Sequence, residues 1–112
     1  MIEKITIKHL SEFAGSVPVC GEVPEKPPAT YIIVEKTGAG EKDKINSAAV
    51  IVQSYAATMQ KAAELNEAVK KWMKLLSLRP EVSACKLDSD YNYTDTTKKE
   101  YRYQAVFDVT YF

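Results

Sequence analysis

Residues 85–93, CKLDSDYNY, and residues 101–112, YRYQAVFDVTYF, carry large apolar side chains at every second position over two long runs. Period-two alternation belongs to strands whose two faces differ. Joined by the polar stretch TDTTKKE, the runs predict a two-stranded ribbon. Its odd positions (Cys85, Leu87, Ser89, Tyr91, Tyr93, then Tyr101, Tyr103, Ala105, Phe107, Val109 and Tyr111) make one mostly apolar face. Pairing Tyr93 with Tyr101 sets Tyr91 opposite Tyr103, Leu87 opposite Phe107 and Cys85 opposite Val109. On the other face Lys86 meets Asp108, Asn92 meets Arg102 and Val82 meets Phe112. Strands of roughly 35–40 Å are long for so small a chain. The expectation is a ribbon whose inner part lies under a helix and whose tip overhangs to meet another subunit.

The covering helix is legible upstream. Between about residues 57 and 76, Met59, Ala62, Leu65, Val69, Trp72, Met73 and Leu76 form one stripe. Glu64, Glu67, Lys70, Lys71 and Lys74 take the opposite side, and Arg79-Pro80 ends the element. A shorter first helix is expected from Ile2, Ile5, His9, Leu10, Phe13 and Ala14, with Gly15 at its C-terminal cap. Residues 17–23 read as a strand that Pro18 confines to an edge. Residues 29–35, with Tyr31, Ile32, Ile33 and Val34 in sequence, read as a strand covered on both faces. Residues 37–44 (TGAGEKDK) read as a mobile polar loop, and residues 46–54 resume a strand. The order is α-β-β-β-α-β-β. It predicts one α+β domain over residues 1–112, a two-layer sandwich with two helices on one face of a largely antiparallel or mixed five-stranded sheet.

Composition narrows the classes of function. Hydrophobic residues make up 46% and charged residues 27%, which is globular rather than disordered composition. Lys+Arg and Asp+Glu balance at 15 each, so no global field attracts a polyanion or an acidic membrane. Two cysteines without Cys-x-x-Cys spacing, and no apolar leader, fit a reduced intracellular setting. No apolar run approaches the length of a membrane span.

The chemical motifs fail on inspection. The glycine stretch lacks the Gly-Lys-Ser/Thr and following helix of a phosphate loop. Asp88-Ser89-Asp90-Tyr91-Asn92 copies half a calcium loop, but Tyr93 stands where glycine is required and Lys99 where a bidentate glutamate is required. His9 is the single histidine available as a base for Cys20 or Cys85, and the soft ligands are too few for a zinc site. The expectation is therefore no enzyme, no metal and no cofactor. Tyr91, Tyr93, Tyr101, Arg102 and Tyr103, with Lys98 and Lys99 nearby, suit either a protein interface or single-stranded nucleic acid. The charge balance favours the interface.

Several segments resemble a known family: Tyr31-Ile32-Ile33-Val34-Glu35-Lys36-Thr37-Gly38, Val52-Gln53-Ser54-Tyr55-Ala56, Ala62-Ala63-Glu64-Leu65 and Tyr101-Arg102-Tyr103-Gln104-Ala105-Val106-Phe107. Together they resemble the small tail-terminator, or tail-completion, proteins of long-tailed bacteriophages and prophages. The resemblance implies a hexameric ring that caps the tail tube and offers a surface for head–tail joining. It implies partners in the tail-tube protein, the head–tail connector proteins and other copies of the chain, with no enzyme activity and no cofactor; the balanced charge makes a membrane or nucleic-acid partner the less expected one. It places the chain in the bacterial cytoplasm during assembly and in the virion tail afterwards. Expected subunit contacts are Gly38, Gly40 and Lys42 with the edge strand over residues 17–23, and Tyr91, Tyr93, Tyr101, Arg102 and Tyr103 at the ribbon tip. The alternatives are another connector or neck subunit, and a small nucleic-acid-binding module.

Overall fold

A computed structural model describes residues 1–112. Helix α1, Ile2–Ala14, buries Ile2, Thr6, His9 and Leu10 on one side and stops at Gly15, whose φ of 62° is easy only for glycine. The β-like triplet at Ile5-Thr6-Ile7 yields to this amphipathic pattern. The Thr6 hydroxyl donates to the Ile2 carbonyl at 2.8 Å, so its burial leaves no polar atom unpaired. Strand β1 is only Val19–Cys20, set parallel to the next strand. The edge placement expected from Pro18 holds, but the strand is much shorter than residues 17–23. Pro18 has no N–H to donate and offers only its carbonyl, which accepts from Ile32 N at 2.9 Å.

Strands β2, Tyr31–Lys42, and β3, Ile45–Ala56, form a long hairpin. The expected loop over residues 37–44 is therefore strand as far as Lys42, closed by a two-residue turn at Asp43 and Lys44. Both turn residues have positive φ, 54° and 66°, which matches the tight turn that fits the twist of a hairpin. Gly38 and Gly40 sit in the strand, just past a bulge between Lys36 and Gly38. Glycine content signalled a loop, and cross-strand pairing with residues 45–49 overrode it.

Helix α2, Met59–Lys74, starts at Thr58, whose hydroxyl accepts from Lys61 N at 3.2 Å. Such a cap contributes about 1 kcal/mol. A 3₁₀ turn, Leu75–Leu78, leads to β4, Val82–Asn92, and β5, Tyr101–Tyr111. The sheet order is β1-β2-β3-β5-β4, antiparallel except for β1. Both helices pack on one face, so the two-layer α+β arrangement in the order α-β-β-β-α-β-β is the observed fold. The core lies between the layers. Ile32, Val34, Val50, Val52, Ala105, Phe107 and Val109 of the sheet meet Ile2, Leu10, Val69, Met73 and Leu76.

The ribbon register departs from the uniform one. Cys85 pairs with Val109, Lys86 with Asp108 and Leu87 with Phe107, as alternation requires. A bulge at Asp88 then shifts the ladder, so Tyr91 lies opposite Gln104 and Asn92 opposite Tyr103, in place of Tyr103 and Arg102. Tyr93 N donates to the Arg102 carbonyl at 2.9 Å, so Tyr93 is not matched to Tyr101. A second bulge at Ser83 sets Val82 opposite Tyr111 rather than Phe112. Each bulge inserts one residue on β4 alone, which reverses the face of whatever follows.

Candidate subunit interface

The bulge at Asp88 decides which tyrosines share a surface. Tyr101 and Tyr103 pair with Ala56 and Ser54 of β3 and lie half-buried on the helix side of the sheet. Tyr91 and Tyr93, moved by one step, project from the face that no helix covers. The tyrosine cluster expected on one face is thus split between two. The tip is also less overhung than expected on its helix side. There the Asn92 amide and the Thr94 hydroxyl reach Met59 Sδ, at 3.0 and 3.3 Å, under the first turn of α2.

On the helix-free face, alternation brings Tyr31 and Ile33 of β2, Gln53 and Tyr55 of β3, Arg102 and Gln104 of β5, and Tyr91 of β4 into one field. Tyr31 and Tyr55 stack with ring centroids 4.4 Å apart and planes 8° from parallel. Pro27, Pro28 and Ala29 flank them across a hollow of about 220 Å³. A chain of polar bonds continues across three strands. Arg102 Nη1 donates to the Tyr55 hydroxyl at 2.7 Å, that hydroxyl donates to Gln53 Oε1 at 3.1 Å, and Gln53 Nε2 donates to Gln104 Oε1 at 2.8 Å. Gln104 Nε2 closes the row on the Tyr91 hydroxyl at 2.5 Å. Arg102 Nε donates to the Tyr93 carbonyl at 2.8 Å, and the guanidinium lies 4.5 Å from the centroid of the Tyr93 ring. A cation held over a ring face in this way is attracted by the ring quadrupole.

This network pre-orders an exposed aromatic pair. Tyr91 and Tyr93 are 43% and 46% exposed, meeting edge to face at 5.9 Å. Their neighbours Tyr55 and Gln104 are buried. Rigid tyrosines beside an arginine are what protein interfaces use as anchors, because little side-chain entropy is left to lose on binding. Reading the sequence alone missed Tyr31, Gln53, Tyr55 and Gln104. Their signal was present in the alternation of Gln53-Ser54-Tyr55, but only the strand order β3-β5-β4 places them beside Tyr91. Gln104→Leu is expected to strand the Gln53 amide without its acceptor and to release Tyr91. A loss of about 1–3 kcal/mol should appear in urea unfolding; an unchanged midpoint would mean the row contributes nothing.

The second expected contact, Gly38, Gly40 and Lys42, lies at the other end of the sheet. Every residue of β2 from position 35 to position 42 is exposed, so the true overhang is this hairpin rather than the ribbon tip. Gly38, Ala39, Gly40, Ser47, Ala49 and Asp108 bound a shallow hollow of about 350 Å³ there.

The groups considered for chemistry are engaged elsewhere. His9 Nδ1 accepts from Arg79 Nε at 2.6 Å and its Nε2 meets the Trp72 carbonyl at 2.7 Å, so both ring nitrogens are occupied. Burial pushes the Cys85 thiol up to about 11, far from a thiolate at neutral pH. Asp90 is paired with Lys70 at 2.5 Å, and Lys70 also reaches Glu67 at 2.9 Å. No helix is long and apolar enough to cross a membrane.

Comparison with known protein families finds none that matches the chain, and comparison with curated proteins finds none of significant sequence similarity.

Proposed function

We propose that this chain is a noncatalytic structural subunit of a phage or prophage tail, a ring-forming terminator that caps the tail tube and takes part in head–tail joining. The observation that carries the reading is the sheet face left without helices, on which Tyr91, Tyr93 and Arg102 form an ordered, exposed aromatic and cationic patch. A small chain gains from such a patch by covering it with protein. The family resemblance supplies the identity of the cover: other copies of the chain, the tail-tube protein and the head–tail connectors. Arg102 spends two of its bonds on Tyr55 and Tyr93, and the formal net charge is zero, which weighs against a nucleic-acid surface.

Light scattering during size-exclusion chromatography, alone and with the tail-tube protein of the same phage or prophage, tests the proposal. A ring, formed in solution or on the end of the tube, is the expected result. Replacing Tyr91 and Tyr93 together by alanine should weaken assembly or tube binding at least tenfold, since interface anchors of this kind are worth about 2 kcal/mol or more. A chain that stays monomeric and ignores the tube would refute the terminator reading. Salt-sensitive retention on single-stranded DNA would move the patch to the nucleic-acid class.

A further inference from the structure

The order β1-β2-β3-β5-β4 leaves two strand edges open. Strand β1 pairs with β2 only at Ile32 and Ile33, a parallel ladder whose bonds extend to Val34, so the outer edge of β2 is free beyond Val34 to its end at Lys42. Strand β4 has no neighbour on its outer side. Beyond Val82, whose N–H donates to the Arg79 carbonyl at 3.0 Å, no turn or loop backbone group bonds to that edge before Tyr93. Unpaired edges are ready-made templates for another strand.

Tracing the ladders across the sheet shows that these edges correspond. Gly38 is level with Ala49, Asp108 and Lys86, and Gly40 with Ser47, Thr110 and Ala84. The two edges therefore run along the same stretch of the sheet, in opposite directions. Each is regular just there, β2 beyond its bulge at Thr37 and β4 between its bulges at Ser83 and Asp88.

We propose that copies of this chain join head to tail by strand addition, residues 38–40 of β2 in one copy pairing antiparallel with residues 84–86 of β4 in the next. This rests on the ring reading and names its joint. Level edges let a rotated neighbour dock with little slide along the strands, and absence of slide distinguishes a closed ring from an open filament. The glycines fit the role. A Cβ on Gly38 would meet no atom within 4 Å, and one on Gly40 would come no nearer than 3.6 Å, to Ser47 Oγ. The chain's own packing does not demand glycine at either position, whereas a bare edge admits a second backbone closely.

Charge agrees with the pairing. Glu35 and Lys86 both project from the helix-free face, two levels apart, so they become diagonal neighbours across the joint. Diagonal neighbours of this kind lie about 7–8 Å apart, within reach of long side chains. The flanking bulges confine pairing to a short segment, which restrains indiscriminate edge-to-edge growth.

Cysteine cross-linking tests the joint, in a background carrying Cys20→Ser and Cys85→Ala. Gly40→Cys in one preparation and Ala84→Cys in another should give a covalent dimer only when mixed and oxidised. Dimers from either variant alone would mean a two-fold joint between like edges and would overturn the proposal. Hydrogen exchange on the unmodified chain supplies a second measurement: the outward-facing amides within residues 38–40 and 84–86 should gain protection on assembly. Protection of both segments without cross-linking would mean pairing out of level and would overturn the register on which this joint rests. Rings that form while both segments exchange as in the monomer overturn this joint and leave the ring reading standing. A chain that neither assembles nor cross-links at any attainable concentration overturns both.

Discussion

Phe107→Ala is expected to cost about 3–5 kcal/mol, the range for truncating a fully buried phenylalanine. Phe107 is 2% exposed on β5, between Val50 of β3 and Leu87 of β4, in the core beneath α2. Its surroundings belong to three strands and a helix, so they cannot collapse into the vacated volume without breaking several ladders. Against a total stability of roughly 5–15 kcal/mol for a domain, that loss is large. Thermal unfolding should show the midpoint falling by about 10–20 °C. Phe107→Leu, which keeps most of the volume, should cost less than about 1.5 kcal/mol. If the alanine variant melts within a degree or two of the wild type, the core is not where the packing places it.

Arg79→Met is expected to loosen the junction of the two helices. His9 on α1 reaches the C-terminal end of α2, where its Nε2–H donates to the Trp72 carbonyl, a second bond on an oxygen that also accepts from the Leu75 N–H of the helix cap. Arg79 fixes that tautomer by donating to Nδ1, and its Nη2 donates to Glu12 Oε2 at 2.6 Å. Phe13 packs beside them, its ring 5.0 Å from His9 and 6.2 Å from Trp72. Methionine keeps the aliphatic volume and removes the donor, leaving a buried ring nitrogen without a partner. The expected loss at neutral pH is about 1–3 kcal/mol.

The same residues set a pH dependence. Burial, the largest cause, holds the His9 imidazole below its ordinary pKa of 6.5; the Trp72 carbonyl pulls it up, the Arg79 charge pushes it down and Glu12 pulls it up. The folded state thus binds the His9 proton less tightly than the unfolded chain. Its contribution is whole above the unfolded value and is lost as pH falls from there toward the lowered folded value. Glu12 adds the same sign at lower pH: the Arg79 hydrogen bond holds its carboxyl below the ordinary 4.5, so its share is lost as pH falls through the lowered value. Wild-type melting temperature should therefore drop between about pH 7.5 and pH 5. Without the Arg79 charge, the folded His9 pKa moves back toward ordinary, so Arg79→Met should be less stable at neutral pH and flatter across that interval. An equally steep profile in the variant would assign the acid sensitivity to other groups.

The periodic elements were legible because their pattern records a local choice of face. The stripe from Ala62 to Leu76 needs only a helix and something apolar to meet, and Cys85, Leu87, Phe107 and Val109 need only a strand. The glycine-rich hairpin was not legible. Gly38 and Gly40 have weak intrinsic preference for a strand, and only pairing with β3 holds them in one, while Asp43 and Lys44 adopt positive φ without the usual Asn-Gly signature.

The interface residues divide in the same way. Amino-acid types alone marked Tyr91, Tyr93 and Arg102 as binding candidates, and alternation alone required a covered face and an uncovered one. Which tyrosine went to which face depended on a single extra residue at Asp88, and alternation cannot register a bulge because it counts positions along one strand. The union of Tyr91 with Gln104, Gln53 and Tyr55, and the level match of the edges of β2 and β4, required the order β1-β2-β3-β5-β4. Strand order comes from long-range packing against the helices, where burial of shared apolar faces outweighs the preference of any one segment.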